Sequence, residues 1–238
     1  MEITPLGDSA LLIRVAENFD DAPEDALNKV LAAKRSLEAA KIPGAIEIAP
    51  AYATVALFYD STRAIEAGAP AHDLVGWLEQ RIGEALSHVK KLNAADRLER
   101  SPIEIAVCYD KEFGFDLDDV ARHTGLDPKE VGSLHCGAQY RVHCLGFTGG
   151  FAFLGGLPRR LATPRRDVPR KEIPAGSVAI GGKQTGIYPI KSPGGWNVIG
   201  RTPRQLFDPK THPPVVLQAG DRVQFRPITR EEFEESMA

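Results

Sequence analysis

Apolar and polar positions follow two different rhythms along the chain. Up to about Asn93, short β-rich runs, Ala10-Leu-Leu-Ile-Arg-Val15 and Thr54-Val-Ala-Leu-Phe-Tyr59, alternate with longer stretches of helical spacing. Leu27, Val30, Leu31 and Leu37 share one face of the first predicted helix, which Pro43-Gly44 closes. Leu74, Trp77, Leu78, Ile82, Leu86 and Val89 form the apolar stripe of a second helix, and that stripe needs a sheet to cover it. Two helices and at least three strands in this order predict a small α+β sandwich of ferredoxin-like type.

The polar stretch Asn93 to Arg100 separates this region from a different pattern, which places a boundary between domains 1–95 and 96–238. Ile103-Glu-Ile-Ala-Val107 reads as a strand and is followed by two short helical segments. The second has Asp127 in position to cap it and Pro128 at its first turn. Of the 22 glycines, 13 lie between Gly137 and Gly200, and 10 of the 18 prolines lie between Pro158 and Pro214, so long helices are excluded there. Tyr140–Leu145, Ser177–Ile180, Gly186–Ile190, Trp196–Ile199, Val215–Leu217 and Arg222–Arg226 read as short strands. Many short strands with this punctuation predict a closed or nearly closed β-barrel.

Composition narrows the function classes. Lys and Arg total 29 against 32 Asp and Glu, a formal net charge of −3, which argues against broad nucleic-acid binding. No apolar run is long enough to span a membrane, and the start of the chain lacks the pattern of a secretory signal. Cys108, Cys136 and Cys144 are odd in number and form no CxxC pair. A soluble, cytoplasmic protein is the expectation.

Several segments have the residue types that chemistry needs. The helices around Leu117–Cys136 suggest a helix-turn-helix, but Asp116, Asp118, Asp119, Asp127 and Glu130 at expected exposed positions would repel DNA phosphates. The run Leu145-Gly-Phe-Thr-Gly-Gly-Phe-Ala-Phe-Leu-Gly-Gly-Leu-Pro158 reads equally as an anion-binding nest of backbone N–H groups or as tight barrel turns. It is neither a dinucleotide fingerprint nor a phosphate-binding P-loop, and Gly176 to Gln184 fails the latter by one residue and by Gln184 itself. Arg159, Arg160, Arg165, Arg166, Arg170 and Lys171 follow on a strip kept extended by Pro164, Pro169 and Pro174, which suits a phosphate, a carboxylate or an acidic partner. Lys191-Ser-Pro-Gly-Gly-Trp196 to Arg201 adds an indole and a cation, with a plain core role for Trp196 as the alternative. His135-Cys136 and His143-Cys144 match no zinc module, so no metal site is expected. His135 reads as an acid–base group or as an ordinary buried histidine.

The ordered series His135, Tyr140-Arg-Val, Gly146-Phe-x-x-Gly150-Phe, Leu154-Gly-Gly, Thr163-Pro-Arg-Arg-x-x-Pro-Arg170, Ile173-Pro-Ala-Gly-Ser-Val-Ala-Ile180, Gln184-Thr-Gly-Ile-Tyr-Pro189, Ser192-Pro-Gly-Gly-Trp196 and Ile199-Gly-Arg-Thr-Pro203 resembles the allophanate hydrolase subunit 1 family. That family includes the B subunit of the prokaryotic 5-oxoprolinase and KipI-type histidine kinase inhibitors. The resemblance extends from Gly7-Asp8-Ser9-Ala10 to Gly220-Asp221-Arg222-Val223. It departs at Gly149, where the family usually has proline, and at Phe153, where tyrosine is common.

The resemblance implies an N-terminal α+β domain of ferredoxin-like type followed by a cyclophilin-like β-barrel, without prolyl isomerase activity. It implies an enzyme subunit that opens 5-oxo-L-proline to L-glutamate with ATP, working with separate A and C subunits. Magnesium, if used, is then held by ATP or a partner. Arg166, Arg170 and Arg201 are the candidate anion binders, Gly149 and Gly150 the backbone donors, Gln184, Tyr188 and Trp196 the pocket lining, and His135 the acid–base group. A kinase inhibitor that works alone and a carboxyltransferase subunit of urea carboxylase or allophanate hydrolase type are the alternative readings.

Overall fold

The computed structural model describes residues 2–17, 19–87 and 101–237. The chain divides into two compact units, Met1–Glu99 and Arg100–Ala238. The boundary expected at 95/96 and the stripe residue Val89 lie outside the described residues.

In the first unit, strands β1 (Glu2–Pro5), β2 (Ala10–Arg14), β3 (Ala45–Ala51) and β4 (Thr54–Tyr59) form one antiparallel sheet in the order β1-β2-β4-β3. Helices α1 (Pro23–Ala40), α2 (Ser61–Glu66) and α3 (Leu74–Ser87) complete the unit. The predicted stripes do what their spacing requires. Val30 and Leu37 of α1 and Leu78 and Ile82 of α3 share a core with Leu11, Ile13, Val55 and Leu57 of the sheet. Pro23 occupies the first turn of α1, where its missing N–H costs no hydrogen bond, and the helix ends on Lys41 in the left-handed region. No helix among the described residues is long and apolar enough to cross a membrane.

The second unit holds β5 (Ile103–Cys108), α4 (Leu117–Thr124), α5 (Pro128–Gly137), β6 (Gln139–Leu145), β7 (Ala152–Gly155), β8 (Arg170–Ile173), β9 (Ser177–Gly181), β10 (Gln184–Ile187), β11 (Ser192–Gly194), β12 (Asn197–Arg201), β13 (Arg222–Ile228) and α6 (Arg230–Met237). Seven strands close a barrel in the order β10-β7-β6-β13-β5-β12-β9, with β9 paired back to β10. The pairing of β13 with β5 is parallel and the others are antiparallel. Strands β8 and β11 form a separate two-stranded ribbon. Asp127 caps α5 through a reciprocal bond with Glu130, in line with its position before Pro128.

Alternation along the strands produces two cores. Leu154, Val178, Ile180 and Ile187 join the main core with Val142 and Phe225. Their neighbours Phe153, Ala179 and Val198 face the other way and join Phe151, Ile173, Tyr188 and Trp196 in a smaller aromatic cluster on the outside of the barrel.

The barrel departs from the sequence reading at particular places. Ala152–Gly155, inside the glycine-rich run, is a barrel strand rather than a loop. Val215–Leu217 is not a strand; after Pro213 and Pro214, Val215 makes only an isolated bridge to Phe207. The strand predicted to reach Ile190 stops at Ile187, before Tyr188 and Pro189.

Candidate functional site

The outer face of β7, β10, β9 and β12 gathers several of the predicted residues. Gly181 and Gly186 sit on adjacent strands of this face. A Cβ on Gly181 would lie 2.4 Å from Trp196 Cε2, and one on Gly186 would lie 3.1 Å from Trp196 Cζ3. Position 181 therefore requires glycine for the indole to lie against the sheet, and Gly186 leaves little room for anything larger. Phe151 and Phe153 meet the indole edge-on, with ring centroids 5.5 and 5.8 Å away. Tyr188 packs on Phe151 at 5.1 Å, and its hydroxyl occupies the space a Cβ on Gly194 would take. Burial pushes the Tyr188 phenol up, opposed by a hydrogen bond with the Trp196 backbone and by the charge of Arg165. Gln184, half-buried, stands opposite Gly181 and so faces the same side. Trp196 is 5% exposed and Tyr188 is 2% exposed, so both are chiefly core residues with a rim at the surface.

The strip of arginines runs over this cluster. Its backbone is tied down where Arg166 N–H donates to the Gly195 carbonyl at 2.8 Å and Asn197 Nδ2 donates to the Pro164 carbonyl at 2.7 Å. Side chains complete the attachment through a residue the sequence reading misplaces. Asp116, expected at the surface, has no exposure. Arg166 Nη1 donates to its Oδ1 at 2.6 Å, Arg170 Nη2 to Oδ1 at 2.6 Å and Arg170 Nη1 to Oδ2 at 2.7 Å. The Val198 amide supplies a fourth donor at 2.8 Å. A carboxylate accepts about four hydrogen bonds, so Asp116 is saturated. The reason for its burial is this set of donors, which helical spacing cannot reveal because the partners lie some fifty residues away. Arg170 also stacks over Phe115, 4.5 Å from the ring centroid. Arg166 and Arg170, predicted anion binders, therefore already hold an internal anion.

Arg201 lies at the other end of β12, about 13 Å from Asn197 at the usual rise per residue. Its Nε donates to the Ala175 carbonyl at 2.8 Å and its guanidinium lies over Phe233 of α6. The structure does not bring it to the aromatic cluster. Arg165 takes that place instead, 5.8 Å above the Trp196 ring.

Gly149 and Gly150 form the tip of a turn closed by Phe151 N–H to the Thr148 carbonyl at 3.1 Å. Gly150 has φ +80°, and a Cβ there would lie 2.9 Å from Phe207 Cβ. Glycine is thus required by the turn and its packing. Neither amide donates to another described residue, so the nest reading keeps two free donors. Beside them Phe147, at φ 66°, is 65% exposed.

His135 is corrected from acid–base group to core residue. It has no exposure and stacks on Phe225 at 4.6 Å. Its Nδ1 lies 2.7 Å from the Tyr109 hydroxyl and its Nε2 2.9 Å from Thr185 Oγ1. Thr185 gives its own proton to the Ala179 carbonyl, so the ring must carry its proton on Nε2 and accept from Tyr109 at Nδ1. Burial lowers its pKa to about 3. A neutral ring with both nitrogens occupied cannot exchange protons with a substrate without first breaking this chain. The second histidine, His143, is also buried, with a pKa lowered to about 4 by burial and by Arg141. Among the described residues no group of three or more His, Cys, Asp or Glu side chains comes together as a metal site.

Comparison with known proteins places the chain in a family. Residues 1–217 match the family model described as carboxyltransferase domain, subdomain C and D. The chain is 41% identical to the 5-oxoprolinase B subunit of Bacillus subtilis over 98% of its own length and 95% of that protein. It is 53% identical to the 5-oxoprolinase B subunit of Haemophilus influenzae over 52% of this chain and 58% of the relative. The crystal structure of TTHA0988 superposes with a TM-score of 0.74 at 36% identity, covering 92% of this chain and 40% of that one. The match thus spans nearly all of the first of these, 58% of the second and 40% of the third. It belongs to the carboxyltransferase domain, subdomain C and D, family.

Proposed function

We propose that this chain is the B subunit of an ATP-dependent 5-oxoprolinase, which opens 5-oxo-L-proline to L-glutamate together with separate A and C subunits. The near full-length match to the Bacillus subtilis protein carries this reading. The reaction demands a site that holds a carboxylate beside a flat lactam, and the aromatic face with Arg165 at its rim has that character.

Three phosphates call for several cations in one place, and of the three arginines expected to bind anions, Arg166 and Arg170 donate to Asp116 and Arg201 Nε to the Ala175 carbonyl, which supports placing the nucleotide elsewhere. We assign ATP and magnesium to the other subunits. This chain's part is to bind and orient the substrate carboxylate and to shield one face of the lactam from water. Gly149 and Gly150 offer amides to a developing oxyanion, and Gln184 lines the same side as Trp196.

The proposal extends to architecture and location. Strands β2, β3 and β4 with α1 and α3 follow a ferredoxin-like order, with β1 on the edge where the last strand of that fold lies. We read the seven-stranded barrel as cyclophilin-like, the domains as 1–95 and 96–238, and the compartment as the cytoplasm, in keeping with three cysteines that form no disulfide among the described residues.

Purifying the complex through this chain and assaying glutamate from 5-oxoproline, with and without ATP, tests the reading. ATP-dependent release by the complex and none by the lone chain is the expected result. A complex holding both partners that releases no glutamate overturns it.

A further inference from the structure

The basic strip between Arg159 and Lys171 looks uniform in sequence, but the structure divides it. Arg166 Nη1 and both terminal nitrogens of Arg170 donate to one buried carboxylate, while the buried Arg166 Nε meets no acceptor among the described residues. Arg159, Arg160 and Lys171 are exposed, with no aromatic ring or acceptor among the described residues holding them in place. Arg165 differs from both sets. Its guanidinium lies over the Trp196 ring, close enough to Tyr188 to affect that phenol, and none of its donors meets an acceptor among the described residues.

We infer that Arg165 is the anion-recognising residue of the outer barrel face, and that its ligand is the carboxylate of a small, flat amide. The inference rests on the proposed function for the identity of that amide. An indole face restrains a guanidinium without using its N–H groups, so the fork stays ready for two-point binding of a carboxylate. The anchors on both sides of it, Pro164 through Asn197 and Arg166 through Asp116 and Gly195, fix the backbone that carries it. Arg166 and Arg170 already share the Asp116 carboxylate, whereas Arg165 has none, so a carboxylate ligand would supply at Arg165 the acceptor its neighbours find inside the protein.

The test uses the full chain with Trp77→Phe, so that Trp196 is the only indole, and follows its emission during titration. The probes are 5-oxoproline, the neutral lactam 2-pyrrolidinone and inorganic phosphate. The expected result is a saturable change with 5-oxoproline that needs at least about ten times more ligand after Arg165→Ala. Arg165→Lys restores part of the affinity. The neutral lactam stays equally weak in both chains, and phosphate binds more weakly than 5-oxoproline. An Arg165→Ala chain that titrates like its parent, or a Trp196 signal that ignores the carboxylate, overturns the inference. So does tighter binding of phosphate. Glutamate release by the complex is a separate readout. Its failure with an intact titration removes 5-oxoproline turnover but leaves the carboxylate site, and the reverse removes only Arg165.

Discussion

Asp116 and Arg170 lie 54 residues apart in sequence, yet both carboxylate oxygens of the first receive both terminal nitrogens of the second, at 2.6 and 2.7 Å. This fork, shared with Arg166, fastens the strip over the aromatic cluster to the start of α4. It fixes Arg166 and Arg170 in what reads as a free basic strip, while Arg165 between Pro164 and Arg166 lies over Trp196 instead.

Asp116→Ala tests that fastening. Removing one member of a buried ion pair costs about 3–5 kcal/mol when the partner is left dry. Here the two arginine side chains are 31% and 27% exposed and can turn to water, so a loss nearer 2–3 kcal/mol is expected. Equilibrium urea denaturation measures it. A change below about 0.5 kcal/mol, the range of ordinary surface substitutions, contradicts the role.

Gly181→Ala is expected to push Trp196 off the sheet, because its Cβ would need the place of the indole carbons 2.4 and 2.5 Å away. The expected loss is about 1–3 kcal/mol, with a change in near-ultraviolet circular dichroism. Gly83→Ala is the contrasting case. It lies within α3 with open space around its Cβ, and it should stabilise the chain by about 0.5–1 kcal/mol. Equal effects from the two substitutions would contradict the packing described.

The pH dependence of stability follows from His135 and His143. Both have folded pKa values below the ordinary 6.5, about 3 and about 4, so the unfolded chain binds more protons between those values and 6.5. Stability is therefore full above pH 6.5 and falls as the pH drops through this window, by up to about 1.4 kcal/mol per pH unit for each histidine. Thermal unfolding midpoints between pH 7 and 5 should fall, and His135→Gln should flatten that fall by approaching one proton. An unchanged slope in the variant would show that His135 is not held neutral.

The sequence carries much of this architecture because strands and helices announce themselves by period. Val30, Leu37, Leu78 and Ile82 are legible as stripes, and Asp127-Pro128 as a helix start. What it hides depends on partners far along the chain. Asp116 precedes a helix among other acids, and nothing local marks it as the one that two distant arginines bury. Ala152–Gly155 is concealed in a glycine run because its pairing is set by β6 and β10, not by its own composition. Helix α6 buries mainly Phe233, too little apolar pattern to be seen. At the site, the residues around Trp196 can be picked out one by one, whereas which arginine remains free depends on geometry.

The most direct test of the account is add-back. The A and C subunits of 5-oxoprolinase are assayed for glutamate release from 5-oxoproline with ATP, first without this chain and then with it. The account predicts release only when the chain is present, with a raised KM when it carries Arg165→Ala. Equal release without the chain, or none after it is added to a competent pair, would contradict it.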